Sequence, residues 1–232
     1  MKGVGARYPA YDAARKGPVD LEQRINICRT DHQKAMPFKF ESKELLALAT
    51  YVGRQSRGMQ IENSDERLKP FIEAGRKLFT QRQGQINLSC AQCHDDNWGK
   101  HLASSLIPQG HPTGYPIYRL EWQSLGSLQR RLRNCMIGMR AEPYGYGAPE
   151  NVNMEVFLMW RARTKTRNPR GAAVSAIALR IYASLVRRWL CVPRTSSVLI
   201  SRRNHLTSAH HDRATMFCAG RISLAIQVEE PA

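Results

Sequence analysis

The chain has no apolar run long enough to cross a membrane: its most apolar stretch, in the C-terminal third, is broken by Arg180, Arg187 and Arg188. The first thirty residues hold no apolar core and no small-residue cleavage site, so they contain no export signal. Acidic residues are scarce, with 35 Lys+Arg against 19 Asp+Glu and a net charge of +16. The deficit is uneven. Residues 163–232 hold 12 Lys/Arg against 3 Asp/Glu, leaving 23 against 16 for residues 1–162. A basic arm suits nucleic acid, but that reading rests on the tail's charge alone, and no nucleic-acid partner is expected.

Against these absences stands one dense motif, Ser89-Cys90-Ala91-Gln92-Cys93-His94. Two cysteines two residues apart with histidine directly after them form the attachment pattern of c-type haem: each thiol adds to a porphyrin vinyl group and the imidazole reaches the iron. A zinc knuckle needs a second ligand pair, and none follows at compatible spacing. A thioredoxin-like redox pair needs a strand and helix pattern around it, which is also missing. Haem attachment in bacteria takes place outside the cytoplasm, so a periplasmic location is expected, with the export signal upstream of Met1.

Along the chain, residues 1–40 read as loop around a short helix at 19–29, with Leu21, Ile25 and Cys28 on one face. A helix follows over 42–52, closed by Gly53, then a polar linker to Arg67. A second helix starts near Pro70 with the stripe Phe71, Ala74, Gly75, Leu78 and Phe79, where the small residue admits a crossing helix. Residues 95–117 read as loop. A helix is expected from Leu120 to about Ile137, with Trp122, Leu125, Leu128, Leu132 and Met136 inward and Arg130, Arg131 and Arg133 outward. A last helix, from about Glu150 to Arg161, is expected to pack on the one at 70–80. From Thr164 the chain turns rich in Arg, Ser and Ala without a sustained period, as expected of a disordered or out-of-frame tail; His205, His210 and His211 within it are read as incidental.

With His94 as one iron ligand, the sixth position has His111, Cys135, Met136 and Met139 as candidates, and His101 too close in sequence. Methionine would make a simple electron-transfer cytochrome. Cys135, however, lies among Arg130, Arg131, Arg133 and Arg140, a setting expected to lower its thiol pKa and attract anions.

The stretches Tyr8-Pro9-Ala10-Tyr11-Asp12, Leu21-Glu22-Gln23-Arg24-Ile25-Asn26, Gln55-Ser56-Arg57-Gly58, Cys90-Ala91-Gln92-Cys93-His94, Gly110-His111-Pro112-Thr113-Gly114-Tyr115-Pro116 and Arg130-Arg131-Leu132-Arg133-Asn134-Cys135-Met136 resemble SoxA, the catalytic subunit of the SoxAX cytochrome of bacterial thiosulfate oxidation. The resemblance is collinear from about Gly3 to Arg163. It implies a mainly α, cytochrome c-like fold: residues 1–60 as a partial N-terminal cytochrome c-like domain, 61–163 as the catalytic haem c domain, and 164–232 as the basic tail.

It further implies an L-cysteine S-thiosulfotransferase that joins thiosulfate to a cysteine of the SoxY carrier protein of SoxYZ. Cys90, Cys93 and His94 would hold haem c, and Cys135 would be the sixth ligand and catalytic sulfur, often a persulfide in the family. Arg131, four residues before it, would contact the substrate, with Arg140 as a second anion contact on charge and position. SoxX would be the partner subunit, and electrons would pass on to a small cytochrome c. Many family members carry a second haem in the N-terminal half, whose ligand would correspond to Cys28; here the matching CxxCH would lie upstream of the first residue.

Overall fold

The computed structural model describes residues 1–168. The expectations for the tail beyond them, its histidines included, lie outside the described residues.

The chain opens with a one-turn helix, α1 (Val4–Arg7), and a short antiparallel hairpin, β1 (Ala10–Asp12) with β2 (Gly17–Val19). Helix α2 (Leu21–Ile27) starts where Asp20 accepts the Gln23 backbone N–H at 2.6 Å and the Gln23 side chain accepts from Asp20 N at 3.0 Å, a reciprocal cap that sets its first turn. A π-helical turn, Cys28–His32, extends it, with Cys28 buried at its start. Helix α3 (Lys43–Arg54) is capped by Ser42 and buries Leu45, Leu46, Ala49 and Val52. Gly53, expected to end this helix, lies inside it. Its use is steric: a Cβ on Gly5 of α1 would come within 2.8 Å of the Gly53 Cα, so the two glycines let backbone meet backbone.

A 3-10 turn (Glu66–Leu68) leads into α4 (Lys69–Thr80), with Pro70 in its first turn, where its missing N–H costs nothing. The short α5 (Cys90–His94) follows, then a small hairpin, β3 (His101–Leu102) with β4 (Ser105–Leu106), and a second, β5 (Ile117–Arg119) with β6 (Ser124–Gly126). Helix α6 (Leu128–Gly138) begins eight residues later than the sequence suggested. Gln123 at φ 47° turns the hairpin and Ser127 caps the helix, so Trp122 and Leu125 belong to the hairpin and not to a helical stripe.

Helix α7 (Pro149–Arg161) closes the core. It crosses α4 at Gly75, where an added Cβ would sit 2.1 Å from the Asn153 carbonyl oxygen. Around that crossing Leu68, Ile72, Phe79, Leu128, Val156, Phe157 and Leu158 form one buried cluster, with Phe79 and Phe157 tilted at 5.3 Å between ring centroids. Pairing of the helices at 70–80 and 150–161 is therefore as expected.

Residues 1–60 do not stand apart from this core, and all described residues fall within one compact unit. Asp20 accepts from Gln129 of α6 at 2.8 Å, Gln129 accepts from Gly147 N at 2.7 Å, and Gln23 donates to Gly147 O at 3.3 Å. The fold also runs past residue 163. Ile61 N donates to Lys165 O at 3.0 Å, and Arg167 exchanges backbone hydrogen bonds with Met59 and Gly58 at 2.8 Å each.

Arg167 brings a charge inside. With Glu22, Glu155, Tyr8 and Tyr115 it lines a cavity of about 30 Å³, room for about one water molecule. Burial, with the repulsion of Asp20, raises Glu22 to about 8; burial raises Asp20 to about 6 against its hydrogen bonds, and it holds Glu155 well above the ordinary range. Burial also lowers Arg167. A raised carboxyl pKa means that the folded state keeps protons the unfolded chain has lost. The stabilisation is complete below about pH 4, the unfolded value, and is lost as pH rises through about 6 for Asp20 and about 8 for Glu22. The urea midpoint is thus expected to fall between pH 5 and pH 8.5. Glu155→Gln should flatten that fall and raise stability at pH 8 by about 1–2 kcal/mol; an unchanged slope would count against this assignment.

Candidate functional site

Helix α5 is a single capped turn. Ser89 accepts from Gln92 N at 3.3 Å and the Gln92 side chain accepts from Ser89 N at 2.9 Å, which fixes the turn that carries Cys90, Cys93 and His94. Cys90 and Cys93, three residues apart, share one side of it, and both thiols are free and half-buried. The His94 Nδ1 lies 2.6 Å from the Pro108 carbonyl oxygen. A carbonyl can only accept, so Nδ1 carries the proton and Nε2 is left with its lone pair for a metal.

Neighbours hold that imidazole in place. Gly110 turns beside it at φ 68°, where a Cβ would make ordinary contact, 3.5 Å, with the His94 Cβ and Cγ. The Phe79 ring packs 6.4 Å away between centroids. From α7, Arg161 grips Asp95, the residue after His94, at 2.6 and 3.4 Å and donates to Gln109 O at 3.1 Å. One guanidinium thereby ties the last helix to both ends of the loop that orients His94.

Across from α5, helix α6 presents Cys135. Cys135 lies within electrostatic reach of Cys90 and Cys93. Burial raises the Cys135 pKa, while Arg131, Arg119 and the sulfur of Cys93 act with smaller weight. The lowered pKa expected from the neighbouring arginines in sequence is therefore corrected: desolvation outweighs them. Cys90 is likewise pushed up to about 11 by burial, with Cys135 and Cys93 adding to it.

The arginines that surround Cys135 in sequence separate in space. Arg131, one helical turn before it, shares its helix face and acts on its charge. Arg130 instead lies over the Trp122 ring at 4.7 Å and reaches Ser124 at 3.3 Å. Arg133 donates to Tyr144 O and covers the Tyr146 ring. Arg140 follows α6 in an exposed left-handed turn at φ 54°, its carbonyl accepting from Gln85 N at 3.2 Å. The second cation beside Cys135 is Arg119, from β5, which also approaches the hydroxyl of Tyr115. Sequence reading missed Arg119 because hairpin pairing brings it in from sixteen residues away. Met136 and Met139 are buried, and His111 sits near Arg161 and Lys165. Cys28 lies apart, buried at the end of α2, and is not among the free thiols.

Two thiols on one capped turn, a histidine with its outer nitrogen available, and a third sulfur facing them make a donor set that fits a covalently held haem. A mainly α core in which α4 and α7 cross beside such a motif defines a c-type cytochrome domain. Comparison with known sequences narrows this. A sequence model of the family described as SoxA/TsdA, cytochrome c domain matches residues 1–61 and 74–165, and the chain belongs to that family. Relatives include the L-cysteine S-thiosulfotransferase subunit SoxA of Pseudaminobacter salicylatoxidans, 37% identical over 163 residues, covering 69% of this chain and 57% of the relative. The protein of the same description from Rhodovulum sulfidophilum is 32% identical over 162 residues, covering 69% and 56%. Among solved structures, SoxXA from P. pantotrophus superposes with a TM-score of 0.68 at 27% identity, covering 74% of this chain and 64% of that one. The chain thus spans little more than half the length of these curated relatives. The family implies haem c as cofactor, and among the described residues no helix is long and apolar enough to cross a membrane.

Proposed function

We propose that the chain carries the catalytic haem c domain of an L-cysteine S-thiosulfotransferase, joining thiosulfate to a cysteine of the SoxY carrier of SoxYZ in the periplasm. The net step forms a sulfur–sulfur bond between the terminal sulfur of thiosulfate and the carrier thiol, releasing the thiol proton and two electrons. Cys90, Cys93 and His94 would hold haem c, with Cys135 as a further ligand, and the group would supply one-electron redox chemistry when bound. SoxX is the partner subunit in this reading, and a small cytochrome c receives the electrons. In this reading residues 61–163 carry the catalytic haem and residues 1–60 are the remainder of an N-terminal cytochrome c-like domain packed into the same compact unit, with Cys28 as a ligand if a first haem motif precedes them.

The observation that carries the reading is a half-buried sulfur, Cys135, within electrostatic reach of two guanidiniums from different elements, Arg131 and Arg119, which one oxygen of Glu121 brings together at 2.6 and 3.8 Å. A plain electron carrier needs no anion site at its iron ligand. A sulfur-transfer enzyme needs one, because its substrate is a dianion whose oxygens match guanidinium forks. In this reading Arg131 holds the sulfonate end and the terminal sulfur meets Cys135. Arg131→Met is expected to lower kcat/KM for thiosulfate by about 10–100-fold, the effect of losing one charge-assisted contact, with covalent haem retained. The assay is the mass gain of the carrier protein with thiosulfate and an oxidised cytochrome c. A wild-type protein loaded with haem that never adds thiosulfate to the carrier would refute the proposal.

A further inference from the structure

The Arg119–Arg131 pair already holds an anion. Glu121 stands in the turn between β5 and β6, held by hydrogen bonds from Trp122 N to Arg119 O and from Gln123 N to Leu120 O, each 3.1 Å. Its Oε1 accepts from Arg119 Nε at 2.6 Å and lies 3.8 Å from Arg131 Nη1. One carboxylate oxygen therefore answers both guanidiniums, the two cations that act on Cys135. Glu121 keeps half its side chain exposed, against 27% for Arg119 and 35% for Arg131, and Leu120 beside it is 84% exposed, so the turn is open to solvent.

We propose that Glu121 is a resident counter-ion of the thiosulfate site, which the substrate displaces from Arg119 and Arg131 and which thereby sets the preference for dianions. This rests on the reading of the site given above. The charges decide it. Two guanidiniums carry +2, and the Glu121 carboxylate cancels only one of these. A dianion with several oxygens satisfies both cations at once and gains more than the carboxylate loses, whereas a monoanion offers no such advantage over Glu121. The Arg131 contact, at ion-pair rather than hydrogen-bond distance, is the weaker half of the carboxylate's hold, and so the half from which displacement starts. Once displaced, the carboxylate swings into water, where exposure makes its loss of partners cheap. Glu121 is thus a specificity-determining residue and not a catalytic one.

The test is calorimetric titration of the haem-loaded protein with thiosulfate at low ionic strength, comparing wild type, Glu121→Gln, Glu121→Ala and the control Glu73→Gln. Glu73 carries the same charge on the outer face of α4, paired with Arg76 at 3.3 Å. Both Glu121 variants are expected to bind thiosulfate about two- to fivefold more tightly, the range of one exposed ion pair, with the control unchanged. Nitrate, as a monoanion, should gain more than thiosulfate, narrowing the preference for the dianion, and an unchanged or widened preference would overturn the proposal. Unchanged or weaker thiosulfate binding in both Glu121 variants would overturn the proposal and make Glu121 a group that orients the arginines. Tightened binding in a protein that never loads the carrier would leave this inference standing and remove the transferase reading instead.

Discussion

Cys135→Ala is expected to abolish thiosulfate transfer to the carrier, by at least ~10³-fold, while the protein keeps its covalent haem. The two outcomes separate because they rest on different elements. Attachment needs Cys90 and Cys93 on the capped turn of α5, and that turn is held by hydrogen bonds of Ser89, Gln92, Pro108 and Arg161. Transfer needs the Cys135 sulfur of α6, on which the charges of Arg131 and Arg119 act. The substitution removes one sulfur from a half-buried position, and its structural cost of about 1 kcal/mol is too small to unfold the domain. Mass spectrometry reads both quantities, as haem retained on the chain and thiosulfate added to the carrier. A plain electron-transfer cytochrome would use Met136 or Met139, show the methionine-to-iron charge-transfer absorption, and keep that absorption in the alanine variant. A variant that still loads the carrier would refute the role of Cys135.

The parts of this site legible in the sequence were those written locally. The spacing of Cys90, Cys93 and His94 announces haem because all three sit on one helical turn. Gly75 in an apolar stripe announces a close helix crossing, and α7 meets it there. Arg131 is legible for the same reason, since i and i+4 share a helix face and Cys135 follows by four. Contacts that depend on long-range pairing were not legible. Arg119 reaches Cys135 through a hairpin that sequence periodicity merged into α6, while Arg140, nearer in sequence, is exposed past the helix end. The direction of the Cys135 pKa also escaped, because counting arginines along the chain measures charge and not burial. In the sequence Arg161 marks only the end of a helix, whereas in the fold it ties down the His94 loop.

Gly75 carries the largest structural prediction. Replacing it with leucine is expected to prevent folding and haem retention, and replacing it with alanine to lower stability by about 1–3 kcal/mol. In an isolated helix the alanine would stabilise by about 1 kcal/mol, so the sign itself is diagnostic. Here a Cβ meets the Asn153 carbonyl oxygen at 2.1 Å and the Phe157 Cβ at 2.7 Å, both on α7, and backbone cannot step aside as a side-chain tip can. The helices must part, and the Phe79–Phe157 contact at 5.3 Å parts with them. Phe79 also packs beside His94, so the damage reaches the haem ligand from behind. Gly138, at the end of α6, supplies the contrast: nothing lies within 4 Å of a Cβ built there, and Gly138→Ala is expected to leave stability unchanged or raise it by up to about 1 kcal/mol. Guanidinium midpoints of the two haem-loaded alanine variants decide the matter. If Gly75→Ala were as benign as Gly138→Ala, the close crossing of α4 and α7 would not be what holds His94 in its place.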